Sequence, residues 1–244
     1  MQVKIISEPN NLLNAVYIGA RNCYHAGSPL DIDVDNIPND KKIKLVTQIL
    51  KMGHTSIIEH NAITFAIEGI SRSCLAQLTR HRVGFSYSVQ SQRYVELKED
   101  REYIRRLLTK YPYDELTELA EKYFVLDWAD NPCIYLEKGE IAKLLLKSID
   151  NYLYAIEMGA PAEDARMFLP NAMKTNVVLT TNLRALSNFC NERLCGKAQA
   201  EIRQLANCLK QEVLLHYEWY KDFLVPKCVK NGRCTEKVSC KTNG

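Results

Sequence analysis

The stretch Gln77-Leu78-Thr79-Arg80-His81-Arg82-Val83-Gly84-Phe85-Ser86-Tyr87-Ser88-Val89-Gln90-Ser91-Gln92-Arg93-Tyr94 carries the densest chemistry of the chain, and the rest is read outward from it. Residues 71–82 have a helical pattern, which sets Gln77 and Arg80, three apart, on one face near the helix end. Arg80-His81-Arg82 then falls at the exit from helix to loop, where side chains fan out. Residues 85–95 are rich in Ser, Tyr and Val and read as extended, so Ser88, Gln90 and Gln92 alternate with Ser91 and Arg93. Arginine forks bind phosphate bidentately, while Ser and Gln give directional contacts to a base or sugar. The group therefore suits an anion with a hydrogen-bonding ring. Taken alone it also suits a solvated basic turn or, with Phe85, Tyr87 and Tyr94, a nucleic-acid patch.

On either side the chain alternates between the two periodicities. Residues 3–6, 61–69 and 175–181 read as strands, with Ile63, Phe65 and Ile67 on one face of the second. Residues 11–24, 39–52, 113–125, 139–159, 182–194 and 197–223 read as helices, with a shorter one over 160–170. Asn39-Asp40 is expected to cap the second helix. Residues 96–112 are charged and read as surface. The pattern predicts the α+β class: a single domain over 1–225 with a mixed or antiparallel sheet packed by long helices, then a basic, loop-like tail over 226–244.

Bulk properties narrow the function classes. The chain has 244 residues, 46% of them hydrophobic and 25% charged, enough for one large core. With 32 basic and 29 acidic residues the net charge is +3, too mild to announce a nucleic-acid binder. The N-terminal apolar stretch is too short for a signal peptide, and no window reaches the length that spans a bilayer. A cytoplasmic protein without membrane contact is expected. The nine cysteines, an odd number without a secretion signal, read as reduced thiols. Cys74, Cys190 and Cys208 lie in helical patterns as core residues. In the tail, Cys228, Cys234 and Cys240 are separated by five residues each. Zinc sites usually use closer pairs and a fourth ligand, so no metal is expected. The chain lacks GxGxxG, so no Rossmann site is indicated.

Arg80-His81-Arg82, a short spacer and Ser91-Gln92-Arg93-Tyr94 together resemble the signature of the flavin-dependent thymidylate synthases. Ile70-Ser71-Arg72 and Gln77 fit the same pattern. Three further blocks resemble that family in the right order: Gly53-His54-Thr55-Ser56-Ile57-Ile58-Glu59-His60, Ala165-Arg166-Met167-Phe168-Leu169-Pro170, and Thr181-Asn182-Leu183-Arg184-Ala185-Leu186-Ser187-Asn188-Phe189 with Arg193 and Ala198-Gln199. The resemblance runs from the first strand to about Ala206. It departs from the family in three places. The spacer, Val83 to Gln90, is eight residues where seven is usual; Val89 stands where Glu is frequent; Lys197 stands where His is common. A helical scaffold with incidental basic turns leaves four ordered blocks unexplained.

The resemblance implies reductive methylation of dUMP to dTMP, with 5,10-methylenetetrahydrofolate as carbon donor, FAD as hydride carrier and NADPH as reductant. It implies a homotetramer whose sites draw on more than one subunit. The FAD contacts it implies are His54, Ser56, Arg80, His81, Arg82, Val89, Asn182, Leu183, Arg184 and Asn188. The dUMP contacts are Gln77, Arg80, Gln90, Ser91, Gln92, Arg93, Arg166 and Arg193. Arg193 is the catalytic candidate, polarising the uracil ring. Glu59, with His54, is a candidate for holding the folate or flavin edge. No enzyme nucleophile is implied, and no cysteine sits in the activated context that a conventional thymidylate synthase needs.

Overall fold

A computed structural model describes residues 1–130, 134–237 and 239–240. The strands are β1 (Gln2–Ser7), β2 (Ile63–Ser71), β3 (Phe85–Val89) and β4 (Lys174–Thr181). The helices are α1 (Leu12–Asn22), α2 (Asn39–Lys51), α3 (Arg72–Leu78), α4 (Arg101–Lys110), α5 (Tyr113–Tyr123), α6 (Lys138–Glu157), α7 (Ala162–Ala165), α8 (Leu183–Arg193), α9 (Ala200–His216) and α10 (Lys227–Lys230). The strands form one sheet in the order β1-β2-β4-β3. Thr64 Oγ1 meets Thr180 Oγ1 at 3.0 Å, and the Gly69 amide donates to Asn176 Oδ1 at 3.2 Å. The register rises along β2 while it falls along β4, which makes the pair antiparallel. This is the α+β class that the pattern predicts.

β4 forms because its β-branched residues suit a pleated surface. Alternate positions Thr175, Val177, Leu179 and Thr181 are buried, while Asn176 and Val178 face outward. Ile63, Phe65 and Ile67 of β2 are buried together, on the face their spacing predicts.

The described chain divides into two compact units. The first comprises residues 1–67, 79–88 and 178–244. Its core gathers Val16 of α1, Val46 of α2, Ile57 and Ile58 of the 3-10 turn Thr55–Glu59, Leu186 and Phe189 of α8, and Leu205 and Leu209 of α9. The second comprises residues 68–78 and 89–177, with a core of Ile104, Leu107, Leu116, Ala120, Ile141, Leu146 and Ile149 from α4, α5 and α6. Buried in this unit, Asp150 accepts from Arg101 Nε at 2.8 Å and from Lys147 Nζ at 2.6 Å.

Several elements differ from the sequence pattern. Residues 96–112 include a helix, α4, because Asp100 caps it by accepting from the Glu102 amide at 2.9 Å. Ile104 and Leu107, three apart in a charged segment, bury one narrow face. α2 is preceded by Pro38, and no side chain caps it, so Asn39 is its first residue and not its cap. α3 stops at Leu78, leaving Arg80 beyond the helix. β3 ends at Val89, and the next residues turn: the Val95 amide donates to the Ser91 carbonyl at 3.0 Å. The predicted helix over 197–223 is α9 followed by a 3-10 stretch, Glu218–Phe223, and the tail contains the short helix α10. Cys74 and Cys190 are core residues as expected, whereas Cys208 is only partly buried.

Leu146 is fully enclosed in the second core. Leu146→Ala is expected to cost about 2–5 kcal/mol of unfolding free energy by the lost contacts and the cavity left behind. Urea titration measures it, and an unchanged midpoint would show that α6 does not anchor this unit.

Candidate active site

In the first unit the candidate residues collect around α8. Asn182 is its N-cap, accepting from the Ala185 amide at 2.8 Å, and the Leu183 amide donates to Asn61 Oδ1 at 3.0 Å. Two amides that an anion would seek are thus already bonded. Leu183 itself is buried, and its carbonyl accepts from Tyr220 Oη at 3.2 Å. Its side chain belongs to the core, which the sequence pattern did not separate from its ligand-facing neighbours. Gly84 has φ +75°, and a Cβ there would lie 2.7 Å from Ala185 Cβ and 3.1 Å from Asn182 Nδ2. Within the spacer, a left-handed glycine is thus pressed onto the start of α8.

One turn apart on α8, Arg184 and Asn188 border a cavity of about 650 Å³. Arg184 is ion-paired to Glu59 at the end of the turn Thr55–Glu59. The cavity floor includes Tyr220 and Phe223, whose rings stack at 5.2 Å, and its rim carries Lys51 and Lys230. Tyr220 is fully buried behind the partly exposed Phe223, and Lys51, Arg184 and Lys230 outweigh the lining Asp222, a balance that suits a planar, anionic ligand. Thr55 lines the cavity, while His54 and Ser56 flank Thr55 with exposed side chains. Tyr220, Phe223, Lys51 and Lys230 were missed from the sequence, since an aromatic run near the chain end has no motif to mark it.

The Arg-His-Arg turn meets the other end of α8. Arg193 Nε donates to His81 Nε2 at 3.0 Å, and the His81 ring stands edge-on to Phe189 with centroids 4.9 Å apart. Tyr87 Oη donates to the His81 carbonyl at 2.5 Å. An imidazole that accepts at Nε2 is neutral. Burial first, and then the Arg193 charge, hold the His81 pKa below its ordinary value, with Glu192 opposing. Arg80 and Arg82 on either side are exposed. Burial also pushes the Cys190 thiol up to about 12, which leaves it inert as a nucleophile.

In the second unit two arginines share one acidic residue. Arg93 Nε pairs with Glu163 Oε2 at 2.8 Å, and Arg166 Nε donates to the Glu163 carbonyl at 2.9 Å. Holding each guanidinium by Nε leaves its paired Nη edge to meet a ligand. Ser91 Oγ accepts from the Arg93 amide at 3.2 Å and fixes the turn. Arg72 Nη2 donates to the Gln90 carbonyl at 2.9 Å, and the Gln90 amide donates to the Asn176 carbonyl at 3.0 Å. Burial, and secondly the nearby Arg166 charge, lower the Arg72 pKa. Arg72, Gln90, Gln92, Thr175 and Asn176 line a cavity of about 280 Å³. In it Arg72 Nε and Thr175 Oγ1 are buried without a protein partner. Gln77 at the end of α3 and Val89 at the end of β3 are half-buried. Glu163 and Asn176 were not singled out from the sequence, and Arg72 was noted only as part of the signature pattern and not as a contact. A charge immediately after a buried strand was the available signal for Arg72.

Comparison with known proteins gives these residues a context. The family described as thymidylate synthase complementing protein matches residues 4–216. A flavin-dependent thymidylate synthase from Pyrococcus horikoshii is 37% identical over 243 residues, covering 97% of this chain and 90% of that protein. Another, from Clostridium tetani, is 35% identical over 248 residues, covering 98% and 93%. The fold is similar to the crystal structure of flavin-dependent thymidylate synthase from Helicobacter pylori complexed with FAD and dUMP. The TM-score is 0.72 at 22% identity, over 92% of this chain and all of that one. The match defines the chain as an enzyme of the thymidylate synthase complementing class. It belongs to the flavin-dependent thymidylate synthase family.

The neutral state of His81 has a measurable consequence. Its folded pKa lies below the unfolded value of about 6.5, so the stability it contributes is present above that pH and is lost as pH falls through it. The melting temperature of the wild type is expected to drop more steeply between about pH 7 and pH 5 than that of His81→Gln, whose amide oxygen accepts from Arg193 without titrating. Parallel curves would show that His81 is not the titrating group.

Proposed function

We propose that this chain methylates dUMP to dTMP with 5,10-methylenetetrahydrofolate as carbon donor, FAD as hydride carrier and NADPH as reductant, in the cytoplasm and as a homotetramer with sites shared between subunits. Residues 1–225 form the catalytic domain in this reading. The observation that carries it is the pair of arginines, Arg93 and Arg166, held by Nε on Glu163 beside the Gln90-Ser91-Gln92 turn. Two guanidinium forks with neighbouring amides suit a nucleoside monophosphate, one part dianion and one part hydrogen-bonding base. The buried, unpartnered Arg72 Nε and Thr175 Oγ1 in the adjoining cavity also favour a polar ligand. Among the described residues no helix is long and apolar enough to cross a membrane.

The cavity bordered by Arg184 and Asn188 fits FAD in kind: the partly exposed Phe223 ring for a ring system, and Arg184, Lys51 and Lys230 for a pyrophosphate. When bound and reduced at the expense of NADPH, FAD would supply the hydride that a reductive methylation requires, and this reading includes no enzyme nucleophile. Arg184, Asn188 and Lys230 bind and orient the cofactor, with Arg184 steadied by Glu59. Arg80, His81 and Arg82 contribute from the neighbouring turn. Arg93, Arg166, Ser91 and Gln92 hold the nucleotide, with Gln77 and Gln90 beside them. Arg193 presents positive charge to the uracil ring and makes its reacting carbon a better nucleophile. Its aim is set before substrate arrives because Nε is committed to His81.

The test is anaerobic. Reduced, FAD-loaded protein is mixed with dUMP and methylenetetrahydrofolate, and visible absorbance is followed while dTMP is assayed. Flavin reoxidation matched by dTMP is the expected result; FAD binding without dTMP would overturn the proposed reaction. Arg193→Ala is expected to lower kcat by about 10²–10³-fold with FAD still bound. Arg93→Ala is expected to raise KM for dUMP by roughly 10-fold or more. Undiminished turnover of the Arg193 variant would contradict its role.

A further inference from the structure

β3 lies at the edge of the sheet, and its third residue does more than complete the ladder. Tyr87 reaches back six positions, and its Oη donates to the His81 carbonyl at 2.5 Å. His81 sits in the irregular turn between α3 and β3 and belongs to neither helix nor strand, so regular structure does not set its backbone. The phenol supplies that constraint. Burial pushes the Tyr87 pKa above its ordinary value, so the hydroxyl keeps its proton and remains a donor. Inward positions alternate along β3, so Phe85 and Tyr87 share a face, and their rings stack with centroids 6.0 Å apart and planes 12° from parallel. Phe85 in turn stands 6.0 Å from the His81 ring and 6.1 Å from Phe189. Rings from β3 and α8 therefore wall the imidazole, while the phenol hydroxyl holds the backbone that carries it. The imidazole passes this order on through the 3.0 Å bond from Arg193 Nε. Arg193 ends α8 on a long side chain with several rotatable bonds, so its aim is only as definite as the acceptor that holds it.

We propose that Tyr87 is a positioning residue for the methylation, fixing the His81 backbone so that the imidazole aims the Arg193 guanidinium at the pyrimidine ring. The inference rests on the reaction proposed above and adds to it a residue that touches neither nucleotide nor flavin. Its contribution is to the geometry that Arg193 presents as charge develops on the ring, and not to the binding of either ligand. A tyrosine suits the place because its ring packs on Phe85 while its hydroxyl reaches a carbonyl beyond that packing. Phenylalanine would keep the packing and lose the bond.

The experiment uses the full, FAD-loaded chain and Tyr87→Phe. kcat is expected to fall by roughly 3–10-fold, the size of one neutral hydrogen bond, with FAD content and the KM for dUMP unchanged. A double-mutant cycle separates aiming from general loosening of the fold. In an Arg193→Ala background, Tyr87→Phe is expected to lower the residual turnover no further, because the group being aimed is gone. An equal fold loss in both backgrounds overturns the proposal, as does undiminished kcat or a rise in KM alone. The crystal structure of Tyr87→Phe reads the linkage without turnover. Arg193 drawn away from His81, or in more than one conformation, is the expected result; a single Arg193 with Nε still 3.0 Å from His81 Nε2 overturns the proposal. Wild-type protein that makes no dTMP refutes the reaction instead, and the variant structure then still decides whether the phenol holds the linkage.

Discussion

The hydrogen bond from Arg193 to His81 is the constraint that sets how the end of α8 meets the Arg-His-Arg turn. It joins the turn after α3 to the last residue of α8, two segments more than a hundred residues apart in sequence. It works only while the imidazole is neutral, because a protonated ring has no acceptor and would set two cations together. Burial against Phe189 enforces that state, so a hydrophobic contact decides a protonation state, and the protonation state aims a charge. Tyr87 completes the arrangement from β3 by donating to the His81 carbonyl, which fixes the backbone as well as the ring.

The second unit handles positive charge differently. Arg93 and Arg166 are partly exposed, and Glu163 does not neutralise them as a closed ion pair would. It holds Arg93 through its carboxylate and Arg166 through its carbonyl, which contributes geometry from both and charge from only one. A lysine in either place would supply charge without a fixed edge. Arg72 is the counterpart below the surface: it spends one Nη on the Gln90 carbonyl and holds the turn that presents the exposed arginines' neighbours. Its burial is tolerable for a guanidinium, which remains ionised where an ammonium would readily lose its proton.

Much of this was legible in the sequence, for identifiable reasons. β2 and β4 were readable because a period of two and β-branched residues leave few alternatives. The Arg-His-Arg exit was placed correctly although α3 is shorter than its pattern suggests. What was not legible depends on tertiary partners. α4 hides two apolar residues among charges, so its helical face appears only once α5 and α6 exist to cover it. The turn over Ser91 to Val95 looked extended because its residue types favour strands; a local hydrogen bond and the serine side chain override that preference. Glu163 and Glu59 could not be read as arginine anchors, since an acid reveals its partner only in three dimensions.

The same limit applies to α8, whose two ends obey different rules. At its start, Asn182, Asn61 and Gly84 close the backbone so completely that the helix terminus is a joint and not an anion site. The side chains of Arg184, the second helical residue, and of Asn188, one turn further, border the cavity. At its finish, Arg193 is held from one side by His81, and Cys195 and Gly196 lie in the turn that leads into α9. A single helix thus carries two polar groups on the border of the cavity in its first half and Arg193 as its last residue. The loop before it meets the helix start closely: at Gly84, with φ +75°, a Cβ would lie 2.7 Å from Ala185 Cβ, so glycine suits that contact.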